Sequence, residues 1–227
     1  MAEHNVGILL QGIVNDWTKK IIDEYKQNFP DAHILLSTWN TENTKDICCD
    51  VIKLEPPNDP RHINHQIIGT REGLKKINSE IIMKCRTDQF IHNKNIFNIF
   101  ENGCSKNKIM IPNFFTSSNV EYWASDFCQI GYRETLLEFW NSIQYFDGNW
   151  DENRTSFENP ITEIFLTANY IIKGKKDLRP WDEIIGEYYY VKDYTRDWQI
   201  EWERLTQAWY HKRFFDLFYK KCCAVDN

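Results

Sequence analysis

Residues 81–88 join an apolar run to a group of charges that could do chemistry. Two isoleucines and a methionine at 81–83 are followed by Lys84, Arg86 and Asp88. This pattern predicts a buried strand that presents charge at its carboxyl end, where ligands bind in open α/β sheets. A carboxylate next to two cations suits a divalent metal and a phosphate group, although a strand-end Asp also often caps the next turn. Asp88 is therefore the first candidate functional residue.

Three other polar clusters stand next to predicted strands. Because the carboxyl ends of parallel strands meet at one edge of a sheet, we expect these clusters and Asp88 to form one crevice. It would offer a Trp ring for stacking a base, amide and hydroxyl groups for a ribose, and the cations Lys84 and Arg86 for phosphates. When a diphosphate supplies the other ligands, one or two protein carboxylates are enough to bind Mg²⁺ or Mn²⁺. The clusters are Gln11-Gly12, Ser37-Thr38-Trp39 and the segment from Asn64 to Arg71.

Each of these candidates also has a purely structural interpretation. Trp39 could cover the edge of the sheet, Gln11-Gly12 could form an ordinary tight turn, and Arg71 could be an exposed helix residue. Lys84 and Arg86 alternate along a strand and should share a side, so they could also form an exposed face of ion pairs.

The first half of the chain alternates strand and helix signals. Asp16 can cap a helix that ends at Pro30, and a second helical pattern covers 66–77. The resulting β-α-β-β-α-β order predicts an α/β fold with a mostly parallel central sheet flanked by helices. The predicted strands cover 6–10, 33–36, 50–54 and 81–88.

The second half is less regular, with no low-complexity linker, and we expect one domain over 1–227. A long C-terminal helix is predicted to carry an aromatic stripe, for which core packing is favoured over a sugar-binding platform. The stripe is Trp198, Trp202, Leu205 and Trp209. The other signals are strands at 108–111 and 117–128, a helix after Gly131, a loop at 147–159 and a helix at 160–172.

Composition excludes several classes of protein. The net charge of −6 argues against a nucleic-acid binder, and no apolar run is long enough to span a membrane. The seven cysteines do not have the spacing of a zinc site. The chain begins directly in a strand-like run, with no secretory signal. Together these observations favour a reduced, cytoplasmic protein.

Four motifs, in this order and spacing, resemble the WavE-type lipopolysaccharide-synthesis glycosyltransferases and similar modules of large DNA viruses. The resemblance implies a GT-A-like fold with a nucleotide-binding half at about 1–112 and an acceptor-side half at about 113–227. It also implies hexosyl or deoxyhexosyl transfer from a nucleotide-sugar, with a UDP-type donor favoured, to a glycan acceptor. The motifs are residues 6–12, residues 35–39, Asn64-x-Gln66 with Gly73-Leu74, and Lys84-x-Arg86-Thr87-Asp88.

The resemblance also implies roles for individual residues on the donor side. A metal-binding Asp-x-Asp normally ends the fourth strand of this fold, but Arg86 stands at its first position and leaves Asp88 as the lone carboxylate for Mn²⁺ or Mg²⁺. Arg86 is then expected to neutralise part of the diphosphate charge. Arg71 corresponds to a cation near the nucleobase or phosphates, and Gln11-Gly12 to the loop that wraps the nucleotide. His211 is a candidate second metal ligand, or a surface or packing residue.

Two acids are candidates on the acceptor side. Glu163, near a predicted helix start, corresponds in order to the general base of inverting enzymes, or it only complements the helix dipole. Asp126 is expected to bind donor-sugar or acceptor hydroxyls, or to act as the base. The sequence leaves inversion and retention open.

Two other functions compete with glycosyl transfer. A sugar nucleotidyltransferase would need a Gly-rich, basic loop after the first strand, which residues 11–16 lack. A non-catalytic nucleotide- or carbohydrate-binding module would account for the missing first Asp.

Overall fold

The computed structural model describes residues 5–59, 61–148 and 161–202. These ranges contain a seven-stranded sheet in the order β3-β2-β1-β4-β7-β6-β8 and a two-stranded sheet of β5 and β9. The strands are β1 Val6–Gln11, β2 His33–Trp39, β3 Asp50–Leu54, β4 Ile81–Arg86, β5 Gln89–Ile91, β6 Ile109–Pro112, β7 Gln129–Tyr132, β8 Tyr189–Lys192 and β9 Ile200–Trp202. The helices are α1 Thr18–Asn28, α2 Ile63–Lys76, α3 Ile96–Gly103, α4 Arg133–Ser142, α5 Thr162–Ala168 and α6 Trp181–Tyr188, and a π-helical segment, Asn169–Lys175, continues α5.

The large sheet is mostly parallel. Strands β3, β2, β1 and β4 run in one direction, β7 runs antiparallel to β4 and β6, and β8 is parallel to β6. The predicted α/β class, with a mostly parallel sheet flanked by helices, is confirmed.

Helices cover both faces of the sheet, so its central strands are buried on both sides and have almost continuously apolar sequences. Helices α1 and α3 contribute to the core on one face, and α2, α4 and α6 contribute to the core on the other. None of the helices within the described ranges is both long enough and apolar enough to cross a membrane.

The prediction that Asp16 caps α1 was wrong, because the helix begins at Thr18 with Trp17 at its N-cap position. Asn15, and not Asp16, accepts the free backbone N–H groups through its side-chain Oδ1, from Trp17 at 2.9 Å and from Thr18 at 3.1 Å. Helix α2 begins at Ile63, three residues earlier than its apolar pattern indicated.

Two predictions in the second half were also wrong. Residues 117–128 form no continuous strand, because only an isolated bridge joins Ser117 to Trp123, and the strand β7 follows instead at 129–132. Trp198 and Trp202 do not lie on a helix, since Trp202 ends strand β9 and Trp198 precedes it. Both rings are buried, as core packing requires. Leu205, Trp209 and most of the predicted 147–159 loop lie outside the described residues.

Candidate active site

The carboxyl ends of the parallel strands meet at one edge of the sheet. Gln11, at the end of β1, is level with Ser37 of β2 and with Arg86 of β4. Strand β7 is antiparallel and pairs its first residue, Gln129, with Lys84, so the segment that precedes β7 reaches the same edge. The edge therefore gathers polar residues from both halves of the chain.

Gly12 lets the loop after β1 pass close to the turn after β4. Its φ of 146° lies in a region that side chains disfavour, and its N–H donates to the Ser37 carbonyl at 3.2 Å. A Cβ at this position would lie 2.6 Å from the Thr87 Oγ1. The preceding Gln11 is buried and donates from Nε2 to the His65 carbonyl at 3.4 Å.

Arg86 and Asp88 form a two-pronged ion pair, here called the Arg86–Asp88 pair. The Arg86 Nε donates to Asp88 Oδ1 at 2.8 Å and its Nη2 donates to Oδ2 at 3.1 Å. The Trp202 indole N–H also donates to Oδ2, at 3.1 Å. Both oxygens of Asp88 therefore already accept hydrogen bonds from protein donors.

Two aromatic rings flank the guanidinium of this pair. The Arg86 Cζ lies 5.8 Å from the Phe127 ring centroid and 5.6 Å from that of Trp202. Burial disfavours the charged form of Arg86, but the hydrogen bonds to Asp88 and the negative charges of Asp88 and Asp126 together outweigh this effect and raise the Arg86 pKa. Arg86 is therefore a permanently charged, oriented cation at the sheet edge.

Lys84, Asp126 and Glu163 form a second group of ionisable side chains, here called the Lys84 cluster. Lys84 is fully buried on the face of β4 toward α4, with its Nζ 5.0 Å from the Trp140 ring centroid. The same Nζ donates to the backbone carbonyl of Asp126. Burial lowers the Lys84 pKa, whereas the negative charge of Asp126 acts in the opposite direction.

The Asp126 carboxylate is buried without a conventional partner. The residue is 1% exposed, and neither carboxylate oxygen accepts a hydrogen bond within the described residues. Burial raises its pKa, and the charges of Lys84 and Arg86 oppose that rise. Because buried polar groups are nearly always hydrogen-bonded, this carboxylate is the strongest local indication of a ligand-binding or proton-transfer site.

Glu163 lies in the first turn of α5 and is also buried. Burial is the largest cause, and the neighbouring Asp126 charge the second, of a rise in the Glu163 pKa to about 8. The carboxyl group is therefore mostly protonated at neutral pH. The structure thus places together both acids that the sequence proposed for the acceptor side.

The predicted base-binding residues line the other end of the sheet edge. Trp39 is 4% exposed and stands edge-on to the His65 ring, with their centroids 4.9 Å apart. The Thr38 hydroxyl and the His65 Nδ1 are buried, and neither has a hydrogen-bond partner among the described residues. Because Trp39 is this deeply buried, stacking of a base on its ring would require side chains that cover it to move.

Asn64 and Arg71 connect α2 to the chain that follows α4. Asn64 donates to the Phe146 carbonyl and accepts from the Phe146 N–H, both at 2.8 Å. Arg71 donates to the carbonyls of Trp140 and Ile143. The structure therefore places these two side chains against backbone and not beside the Arg86–Asp88 pair.

The arrangement around Asp88 does not fit a bound metal ion. Both of its oxygens are engaged by Arg86 and Trp202. Across the part of the chain that the structure describes, no three His, Cys, Asp or Glu side chains are grouped so as to hold a metal. His211 lies outside the described residues.

Trp202 and His65 are site residues that sequence reasoning missed. Trp202 reaches Asp88 only because β9 pairs antiparallel with β5, with Trp202 opposite Gln89. No local pattern signals that pairing. His65 could have been found, because it lies one residue after Asn64 in a segment already singled out.

Comparison with known families identifies the chain. The family described as WavE lipopolysaccharide synthesis matches residues 10–172. The chain belongs to this family. Family membership and the strand order together confirm the resemblance and the GT-A-like fold class. Comparison with curated protein sequences gives no match.

Solved structures resemble this WavE family member only distantly. One is a glycosyltransferase involved in the glycosylation of the major capsid of PBCV-1, with 11% identity, a TM-score of 0.43, and coverage of 84% of this chain and 83% of that one. Another is 4-diphosphocytidyl-2C-methyl-D-erythritol synthase from Anaerococcus prevotii, with 11% identity, a TM-score of 0.47, and coverage of 84% and 87%. A third is glucosyl-3-phosphoglycerate synthase from Mycobacterium tuberculosis, in complex with Mn²⁺ and UDP, with 8% identity, a TM-score of 0.40, and coverage of 59% and 58%.

Proposed function

We propose that the protein is a glycosyltransferase that moves a sugar from a nucleotide-sugar donor to a glycan or glycoconjugate acceptor. The observation that carries the proposal is the buried, unpartnered Asp126 carboxylate at the same sheet edge as the Arg86–Asp88 pair. Membership of the WavE family supports it. The site then combines a cation for a leaving diphosphate with carboxylates for an acceptor hydroxyl.

On the donor side, negative charge develops on the diphosphate as the bond between the sugar and the phosphate oxygen breaks. A positioned cation stabilises that charge most in the transition state. Arg86 is the candidate, because its side chain is 23% exposed whereas Lys84 is fully buried. Gly12 allows close approach of the backbone, and Gln11, Thr38, Trp39 and His65 are candidates for binding the nucleoside.

On the acceptor side, the Lys84 cluster provides two buried acids, Asp126 and Glu163. In an inverting reaction the acceptor hydroxyl attacks the sugar carbon and transfers its proton to a carboxylate acting as general base. Asp126 is the better candidate at neutral pH, because its oxygens accept no other hydrogen bond among the described residues, whereas Glu163 is mostly protonated. In a retaining reaction the same acids would orient the acceptor.

We propose a UDP-type donor and the transfer of a hexosyl or deoxyhexosyl group, as the family resemblance implies. We propose a cytoplasmic location, which is supported by the five free thiols found in the described residues.

The test is donor hydrolysis and sugar transfer with a panel of UDP-, GDP- and CDP-sugars, in Mn²⁺, Mg²⁺ or EDTA. We expect turnover with at least one donor. Asp126→Asn should lower kcat by about a hundredfold or more, because it removes a group that assists proton transfer, while donor binding is retained. The control is Asp182→Asn, which changes an exposed acid in the first turn of α6.

The competing function is that of a non-catalytic nucleotide- or carbohydrate-binding module. The presence of Arg86 where the Asp-x-Asp motif normally has its first Asp favours this alternative. Binding of nucleotide-sugars with no turnover in any condition, and with the same affinity in wild type and Asp126→Asn, would support that module. It would also contradict the enzymatic proposal.

A further inference from the structure

We propose that Arg86 itself binds the donor diphosphate and takes the role that a divalent metal would otherwise have at Asp88. This inference rests on the proposed function, since it concerns the same donor site. In the absence of a ligand, Asp88 is the resting partner of the guanidinium. When a nucleotide binds, the diphosphate replaces Asp88 on the same N–H groups.

The hydrogen-bond geometry supports this exchange. Arg86 donates two nearly parallel bonds to Asp88, at 2.8 and 3.1 Å. A guanidinium presents the same planar fork to a carboxylate and to a phosphate. The rings of Phe127 and Trp202 flank the guanidinium and help to hold its orientation. A phosphate could therefore bind to a donor pair that is already oriented.

A metal ion at Asp88 is disfavoured by the same contacts. It would have to displace hydrogen bonds from Arg86 and Trp202 to reach the carboxylate oxygens. It would then lie next to a guanidinium that stays charged, and two cations at contact distance repel strongly when partly shielded from water. Within the described residues, no three His, Cys, Asp or Glu side chains are grouped so as to offset this repulsion.

The release of Asp88 from Arg86 is feasible because Asp88 is not deeply buried. Its side chain is 19% exposed, so water can solvate the carboxylate. The Trp202 indole N–H can remain bonded to Oδ2. Asp88 thus competes with the diphosphate for Arg86, and removal of its charge should favour nucleotide binding. A metal-ligand role for Asp88 predicts the opposite effect.

The experiment is calorimetric titration of the full chain with UDP, GDP and CDP, each in EDTA and in Mn²⁺. We expect one of them to bind with affinities that differ by less than about threefold between the two conditions. Asp88→Asn should bind that nucleotide as tightly as wild type or more tightly. Arg86→Gln should bind at least about tenfold more weakly, because a charge-assisted bidentate contact is lost.

Two further variants control for effects on folding. Arg86→Lys keeps the charge but loses the fork, so it should also weaken binding while preserving more of the ion-pair stability. Arg179→Gln removes an exposed arginine paired with Asp177 and Glu187, and should leave binding unchanged. Thermal melting without nucleotide establishes that each variant is folded.

The outcomes separate this inference from the proposed function. Nucleotide binding that requires Mn²⁺ and is lost in Asp88→Asn would overturn the role of Arg86 but leave glycosyl transfer intact. Failure of all three nucleotides to bind in either condition would overturn both.

Discussion

The two charged groups at the end of β4 differ in how well their charges are satisfied. In the Arg86–Asp88 pair every carboxylate oxygen accepts a hydrogen bond, and both side chains are about one-fifth exposed. In the Lys84 cluster the cation is fully buried, and the oxygens of Asp126 have no hydrogen-bond partner among the described residues. A satisfied pair is stable in the resting protein, whereas an unsatisfied buried carboxylate costs free energy and is typical of functional sites.

The difference follows from where each side chain emerges from the sheet. Lys84 is opposite Gln129 within the β4–β7 pairing, and α4 covers its face. Arg86 is the last residue of β4, where the strand gives way to a turn. A shift of two positions along β4 therefore separates the buried charge of Lys84 from the charge of Arg86, which a ligand can reach.

The largest expected effect is on stability, and it compares the two cations directly. Lys84→Met should lower the free energy of unfolding by about 3–5 kcal/mol, because it leaves the buried Asp126 carboxylate without its cation. Arg86→Met should cost less, about 1–3 kcal/mol, because the partly exposed Asp88 can be hydrated. Urea denaturation measures both values.

The double variant Lys84→Met/Asp126→Asn is the control for this comparison. If Lys84 and Asp126 interact, it should be more stable than the sum of the two single changes indicates, by about 0.5–3 kcal/mol. Strict additivity would show that the Lys84 cluster is not electrostatically coupled.

The second largest expected effect is a pH dependence of the free energy of unfolding that arises from Glu163. The pKa of its carboxyl is ordinarily 4.5 and is about 8 in the folded protein. Between pH 4.5 and 8 the folded state therefore binds more protons than the unfolded state. Stability should therefore fall as pH rises through this window, by up to about 1.4 kcal/mol per pH unit. Glu163→Gln should flatten the fall in Tm between pH 5 and 8.

Glu183→Gln is the matched control, since Glu183 is an exposed acid in the first turn of α6. It should leave the slope of Tm against pH unchanged. An equal flattening in both variants would contradict the assignment of the slope to Glu163.

The smallest expected effect tests whether hydrogen bonds from Arg86 alone are enough to stabilise the buried part of the Asp88 carboxylate. Trp202→Phe keeps an aromatic ring but removes the indole N–H that donates to Asp88 Oδ2. The free energy of unfolding should fall by about 1 kcal/mol, since Arg86 still donates hydrogen bonds to both oxygens. Trp181→Phe is a matched change, because its indole N–H donates to the Ser117 carbonyl at 2.8 Å. A much larger loss for Trp202→Phe would show that Arg86 alone does not satisfy the carboxylate.

The parallel half of the sheet was predictable because its signals are local. Apolar runs ending in polar residues marked β1, β2 and β4, and the convergence of their carboxyl ends follows from parallel pairing alone. The register that places Gln11 level with Ser37 and Arg86 agrees with that expectation. The roles of these residues in binding remain predictions that the nucleotide titrations test.

The acid side of the site was predictable only as a set of unconnected residues. Asp126 and Glu163 were each proposed for the acceptor side, but nothing in their sequence neighbourhoods relates them to each other or to Lys84. Their proximity depends on the antiparallel addition of β7 to β4 and on the position of α5. The same reason explains the wrong helix assignment for Trp202, since aromatic spacing cannot report a pairing with β5.

The sequence by itself determined the α/β class, the strand ends that carry polar residues, and Arg86 beside a single Asp88. These features depend on the periodicity of neighbouring residues and on the rule that parallel strands end together. Only the tertiary structure decided that Asp88 is already bonded to Arg86 and Trp202, and that Lys84 is buried with two acids. Those contacts join residues as far apart as Asp88 and Trp202, 114 positions along the chain. Contacts at that separation depend on how whole elements pack, which no local pattern specifies.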